Sequence, residues 1–105
     1  MTALAILERA DQILADESKW CQGAGRSGDR CCLLWALTDA TRGEEERAAH
    51  SVLLYLRGDG AWHLAKEAIS AHIGGPSIVA FNDRSTFRDV KAVLAAAIAD
   101  LRSQS

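Results

Sequence analysis

Three cysteines, three histidines and one glycine string are where chemistry could reside in this sequence. Cys21 is the best-placed thiol, because Lys19 and Arg26 flank it in a polar stretch and positive charge favours the thiolate. A nucleophile also needs a base held against it, and no spacing brings His50, His63 or His72 to Cys21. Cys21, Cys31, Cys32 and one histidine would be enough donors for zinc. Structural zinc sites, however, take their ligands in close pairs across a turn, whereas adjacent cysteines on a helix point about 100° apart. Gly23-x-Gly25-x-x-Gly28 spells a dinucleotide fingerprint, but that turn works only when a buried parallel strand leads into it. Here Ser18-Lys19-Trp20-Cys21-Gln22 precedes it, at the end of a helix, and no parallel sheet can be assembled. With Arg26 and Arg30 the same loop offers at most an anion contact at a helix start. The sequence therefore assigns no catalytic residue, no metal ligand and no cofactor.

The remaining candidates have plain structural uses. Cys31 and Cys32 suit a core as small apolar side chains. His50 lies one helical turn after Glu46 and pairs with it, His63 is exposed, and His72 sits where it can meet helix-terminal carbonyls. Trp20, Trp35 and Trp62 are expected as core anchors, each needing an acceptor for its indole N–H. Arg57-Gly58-Asp59 reads as a turn. Asn82-Asp83 is less easily absorbed, being two short polar side chains after an apolar run and before a capped helix. Such residues commonly fix a turn by bonding to nearby backbone N–H groups. As a cap on the last helix, either would cost about 0.5–2 kcal/mol on replacement by Ala. The functional alternative makes Asn82, Asp83 and Arg84 contacts to a ligand or partner, together with Trp20, Cys21 and Gln22 of the first loop.

Hydrophobic spacing predicts the elements that must position these residues. Ala3, Ile6, Leu7, Ala10, Ile13 and Leu14 form one helical stripe capped by Thr2, ending near Asp16 to Lys19. Residues 20–29 read as a loop, with Asp29 capping a second helix from about Arg30. The run from Cys31 to Leu37 is apolar on every side, so periodicity alone does not separate buried strand from buried helix. Leucine and alanine favour a central helix that ends at Gly43. Glu44-Glu45-Glu46 opens a third helix over 44–56, and a fourth carries Ala61, Leu64, Ala65, Ala68, Ile69 and His72 on one face. Gly74-Gly75-Pro76 terminates it. Ser77 to Phe81 is strand-like, and because one strand makes no sheet it is expected as an extended or one-turn segment. Thr86 and Asp89 then have capping-box spacing ahead of a last helix with Phe87, Val90, Leu94, Ala97, Ile98 and Leu101 on its stripe. The expected fold is all-α: a compact bundle of about five short helices with one extended segment before the last, in a single domain over 1–105.

Composition narrows the partners. With 105 residues, 49% hydrophobic and 25% charged, the chain matches globular averages and can bury roughly 65% of its unfolded surface. Nine Arg and three Lys are dispersed among fourteen acids, so no basic face forms and nucleic acid is not expected as a partner. No stretch is long enough to span a membrane, and the N-terminus lacks the basic segment of a signal peptide. Three cysteines without CxxC spacing fit a reduced, cytoplasmic setting.

Three separated pieces resemble a known family: Trp20-Cys21-Gln22-Gly23-Ala24, Cys32-Leu33-Leu34-x-Ala36-Leu37, and Phe81-Asn82-Asp83 with Val90. Together they are similar to domain of unknown function 6197, a family of short bacterial and phage proteins, over about residues 4 to 101. The family's second motif looks like Cys-x-x-Gly-Ala-Leu, and this chain has Trp35 at the glycine position, so a close helix contact there is either absent or replaced by indole packing. The resemblance implies a compact helical protein and carries no activity. The expectation is a non-enzymatic interaction or regulatory module with a protein partner. The alternative is a small-ligand binder or enzyme, which requires the Trp20–Gln22 loop and the Asn82-Asp83 segment to meet in space. A second copy of the chain is a further candidate partner.

Overall fold

The computed structural model describes residues 2–41, 60–75 and 77–104. Among them are five α-helices: α1 (Ala3–Ile13), α2 (Leu33–Ala40), α3 (Gly60–Ser70), α4 (Ile78–Arg84) and α5 (Phe87–Ser103). A 3-10 turn (Glu17–Lys19) and two short strands, β1 (Arg26–Ser27) and β2 (Arg30–Cys31), lie between α1 and α2. The expected helix over 44–56, the Gly43 stop ahead of it, the Glu46–His50 pair and the Arg57-Gly58-Asp59 turn lie outside the described residues.

Helices α1 and α5 form as their patterns require. Thr2 Oγ1 accepts the Ala5 N–H at 3.1 Å, and Thr86 Oγ1 accepts that of Asp89 at 3.1 Å. Ile6, Leu7 and Ala10 of α1 face Val90, Val93, Leu94, Ala97 and Ile98 of α5 across the core. Each large aliphatic chain buried there stabilises by about 1.5–3 kcal/mol over exposure. Helix α1 stops at Leu14, before the polar residues expected to end it, and its terminal carbonyls are met from α5. Lys91 Nζ donates to the Asp11 and Leu14 carbonyls at 2.9 and 3.0 Å and lies 2.5 Å from the Asp11 carboxylate. A cation at a helix C-terminus satisfies both the orphan carbonyls and the dipole.

Four expectations are corrected. The fold is mainly helical but not all-α, because residues 26–31 form an antiparallel hairpin pairing Arg26 with Cys31 and Ser27 with Arg30. Its two-residue turn is Gly28-Asp29, and Gly28 at φ +63° supplies the left-handed residue a tight hairpin needs first. Asp29 accordingly caps no helix; it meets Lys19 at 3.2 Å, which holds its carboxyl below the ordinary range. Second, Ser77–Phe81 is not extended: Ser77 Oγ accepts the Ala80 N–H at 3.1 Å and starts α4. Ile78, Phe81 and Asn82 are its buried face, at i, i+3, i+4 spacing. The break before α5 is therefore Ser85-Thr86, and Asn82-Asp83 belong to a helix rather than a turn.

Third, α2 is not buried on all sides. Leu33, Ala36, Leu37 and Ala40 are wholly inside, whereas Leu34 is half-buried and Trp35 is 38% exposed. Of the two cysteines ahead of it, Cys31 ends β2 and Cys32 is the N-cap position. Fourth, α3 turns Trp62, Ala65 and Ile69 inward and leaves Leu64 out, with Ala61 and Ala68 half-buried. At its end His72 Nε2 lies 2.6 Å from an Asp100 carboxylate oxygen, which ties α3 to α5 rather than capping carbonyls.

Candidate functional site

The first loop and α4 meet, and Asn82 is the junction. Its side chain has no solvent exposure. Oδ1 accepts the Trp20 indole N–H at 2.6 Å and the Leu33 backbone N–H at 3.0 Å. Nδ2 donates to the Cys21 carbonyl at 3.0 Å and, more weakly, toward Asp83 Oδ1 at 3.4 Å. An amide has two acceptor sites and two donors, so its capacity is fully used. The Leu33 contact matters for local structure. Cys32 makes no side-chain cap for α2, and Asn82 supplies that cap from another helix.

Gln22 closes the reverse side. Its Nε2 is 2.7 Å from the Ser85 carbonyl, 3.1 Å from that of Asn82 and 3.2 Å from that of Asp83, sharing two N–H groups among the last carbonyls of α4. Asp83 Oδ1 accepts the Gly23 N–H at 2.8 Å. Trp20 is fixed by its indole bond and by Phe87, ring centroid 5.8 Å away. Of the six residues singled out from sequence, Trp20, Cys21, Gln22, Asn82 and Asp83 converge here. Arg84 does not: its guanidinium lies beside Gly74 and Gly75. Because the carbonyls under Gln22 are open to water, Gln22→Ala is expected to cost only about 1 kcal/mol, read as a small drop in urea midpoint.

The hairpin supports the same junction from the other side. The Cys21 N–H bonds to the Cys31 carbonyl at 3.2 Å, and the Cys32 N–H to the Gly25 carbonyl at 3.0 Å. Arg26 reaches α2, where its guanidinium is 2.5 Å from Asp39, a largely buried carboxylate whose hydrogen bond holds the Arg26 pKa above its ordinary value. The same guanidinium lies over the Trp35 ring, 5.5 Å from its centroid. Neither contact is apparent from sequence, since residues 26, 35 and 39 are related only once the hairpin folds back on α2.

The thiols differ in setting. Cys21 is half-buried and its Sγ–H points to the Ala24 carbonyl at 3.3 Å. Cys31 and Cys32 are 3% exposed. Burial pushes the Cys31 thiol from 9.0 up to about 11 and raises that of Cys32. A raised thiol pKa favours the folded state fully below pH 9, and that contribution is lost as the pH climbs through about 11. At pH 8 iodoacetamide is expected to modify Cys21 while Cys31 and Cys32 react only after unfolding, a pattern that peptide mass mapping checks directly. No three His, Cys, Asp or Glu side chains gather as metal ligands among the described residues.

Two surfaces flank the junction. One is an open groove of about 530 Å³ bordered by Glu17, Trp20, Cys21, Gln22 and Arg30. The other is a cleft of about 200 Å³ between α2 and α4, walled by Leu34, Trp35 and Val79 with Cys32 and Asp83 alongside. Trp35 and Val79 are 38% and 43% exposed there. The second surface escaped sequence reasoning. Its signal was present: the buried positions 33, 36, 37 and 40 follow helical spacing, which leaves 35 off the core face.

A mainly helical domain tied together through one buried asparagine is the class these observations define. Over residues 1–100 the chain matches the family of unknown function (DUF6197), and it belongs to that family. No curated protein and no solved structure matches it. No helix among the described residues is long and apolar enough to cross a membrane.

Proposed function

We propose that this chain is a non-enzymatic protein-interaction module that works in a reduced, cytoplasmic setting and docks through the α2–α4 face. The observation that carries the reading is the exposure of Trp35 and Val79 around one cleft, on two helices that Asn82 locks to each other. Indoles with little freedom are the side chains that most often dominate interface energetics, because little entropy is lost when a partner covers them. Trp35 is held in this way, with Arg26 over its ring and the Gly25 backbone against its Nε1 side. All three cysteines are free thiols, as a reducing setting allows. The test is affinity capture from the native host followed by native mass spectrometry, with Val79→Asp as the control. A partner retained by the wild type and lost by a folded Val79→Asp protein supports the module; identical capture by both overturns the docking face.

A small-ligand binder or enzyme is favoured by one observation, the 530 Å³ groove beside Trp20 and Gln22, whose size suits a small molecule. Asn82 would act there only indirectly, since its polar atoms are engaged. Turnover on a broad substrate panel, abolished by Arg30→Ala on the groove's border without loss of fold, would select this second reading.

A further inference from the structure

The α2–α4 cleft also carries information about what fills it. Its volume of about 200 Å³ is below the roughly 300–1,000 Å³ of pockets that enclose small molecules, so it is sized for a side chain. Its walls are apolar: Leu34, Trp35 and Val79. At its border stands Asp83, whose Oδ1 is occupied by the Gly23 N–H and which forms no ion pair among the described residues. Arg26 pairs with Asp39, and Arg84 turns away to Gly74 and Gly75. The cleft therefore presents apolar walls and one uncompensated negative charge. Asp83 is exposed, so it attracts a cation as a surface carboxylate does, by a modest and salt-sensitive amount.

Resting on the docking face proposed above, we infer that the occupant is a basic amphipathic segment of another protein. It sets one aliphatic side chain, leucine or methionine in size, between Trp35 and Val79, and a lysine or arginine one helical turn away against Asp83. An acidic segment of the same shape is rejected by that carboxylate. Apolar contact supplies the affinity, and Asp83 supplies the choice of sign.

The probe is a pair of synthetic helical peptides, one of Leu, Ala and Lys and its twin with every Lys replaced by Glu. Each is titrated into isotope-labelled full chain while the Trp35 indole and Gly25 amide resonances are followed. The basic peptide is expected to shift both signals and to bind at least about threefold tighter than its twin, with the difference shrinking in high salt. Asp83→Asn keeps an oxygen for the Gly23 N–H and removes only the charge, so it should equalise the two peptides. Equal binding of both twins at Trp35, lost in Trp35→Ala, would overturn the basic preference while leaving the docking face intact. Binding of neither peptide, or Trp35 signals that move with protein concentration alone, would also overturn it, the latter naming a second copy as the occupant. Failure of the docking face itself is read separately, from capture by Val79→Asp.

Discussion

Replacing Asn82 by Ala is expected to lower the stability of this domain by about 3–4 kcal/mol, more than any single change at a surface residue. The substitution leaves the Trp20 indole N–H, the Leu33 N–H and the Cys21 carbonyl facing a site from which their partner has gone. Each orphaned buried polar group costs about 1–3 kcal/mol, offset where water enters the space. Against a typical total of 5–15 kcal/mol that is a large fraction. The thermal midpoint should fall by roughly 12–32 °C. Asn82→Leu separates the causes, because it refills the volume and still leaves the three groups orphaned. It should be nearly as damaging as Asn82→Ala. An Asn82→Leu protein as stable as wild type would mean that Asn82 contributes packing and nothing more. The 0.5–2 kcal/mol anticipated for a cap on the last helix is thus reassigned: Thr86 caps α5, and Asn82 caps α2 from a distance.

The second large effect belongs to Gly25. A Cβ built there would lie 1.8 Å from Trp35 Nε1 and 2.3 Å from Cδ1, well inside contact distance. The backbone cannot yield easily, since the Gly25 carbonyl accepts the Cys32 N–H. Gly25→Ala must therefore expel the indole from its place, at a cost of about 1–3 kcal/mol. The same change made in Trp35→Ala should be close to neutral, so a double-mutant cycle should return a coupling of about 1 kcal/mol or more. Additive effects would show that the ring and the glycine are independent. The close approach is made by the ring, and Gly25 provides the space for it.

Much of this arrangement can be read from the residues. The stripes of α1 and α5 and their Thr2 and Thr86 caps are local features, and local features survive folding unchanged. Trp20, Cys21, Gln22, Asn82 and Asp83 group together because polar residues bracketing apolar runs demand partners, and they meet. What stays hidden has physical causes. The hairpin strands have two residues each, too few for a period-two pattern to register. Helix α4 begins with Ile78 and Val79, whose β-branching suggests strand, and only the Ser77 cap and the buried spacing of Ile78, Phe81 and Asn82 reveal a helix. Arg84 leaves the cluster because it lies on a different side of α4 from Asn82. The Arg26–Asp39 and Gly25–Trp35 contacts join residues that no local rule connects.

The central claim is that Asn82 fixes the first loop to α2 and α4 as permanently as the core itself. Native-state hydrogen exchange of the Trp20 indole and the Leu33 amide tests it most directly, because both protons are held by one oxygen. Both should exchange only through global unfolding, with protection equal to that of Leu94 at the centre of α5. Fast exchange of these two protons while Leu94 stays protected would contradict the account, making the junction a loop that opens in the native state and the small-ligand reading the stronger one.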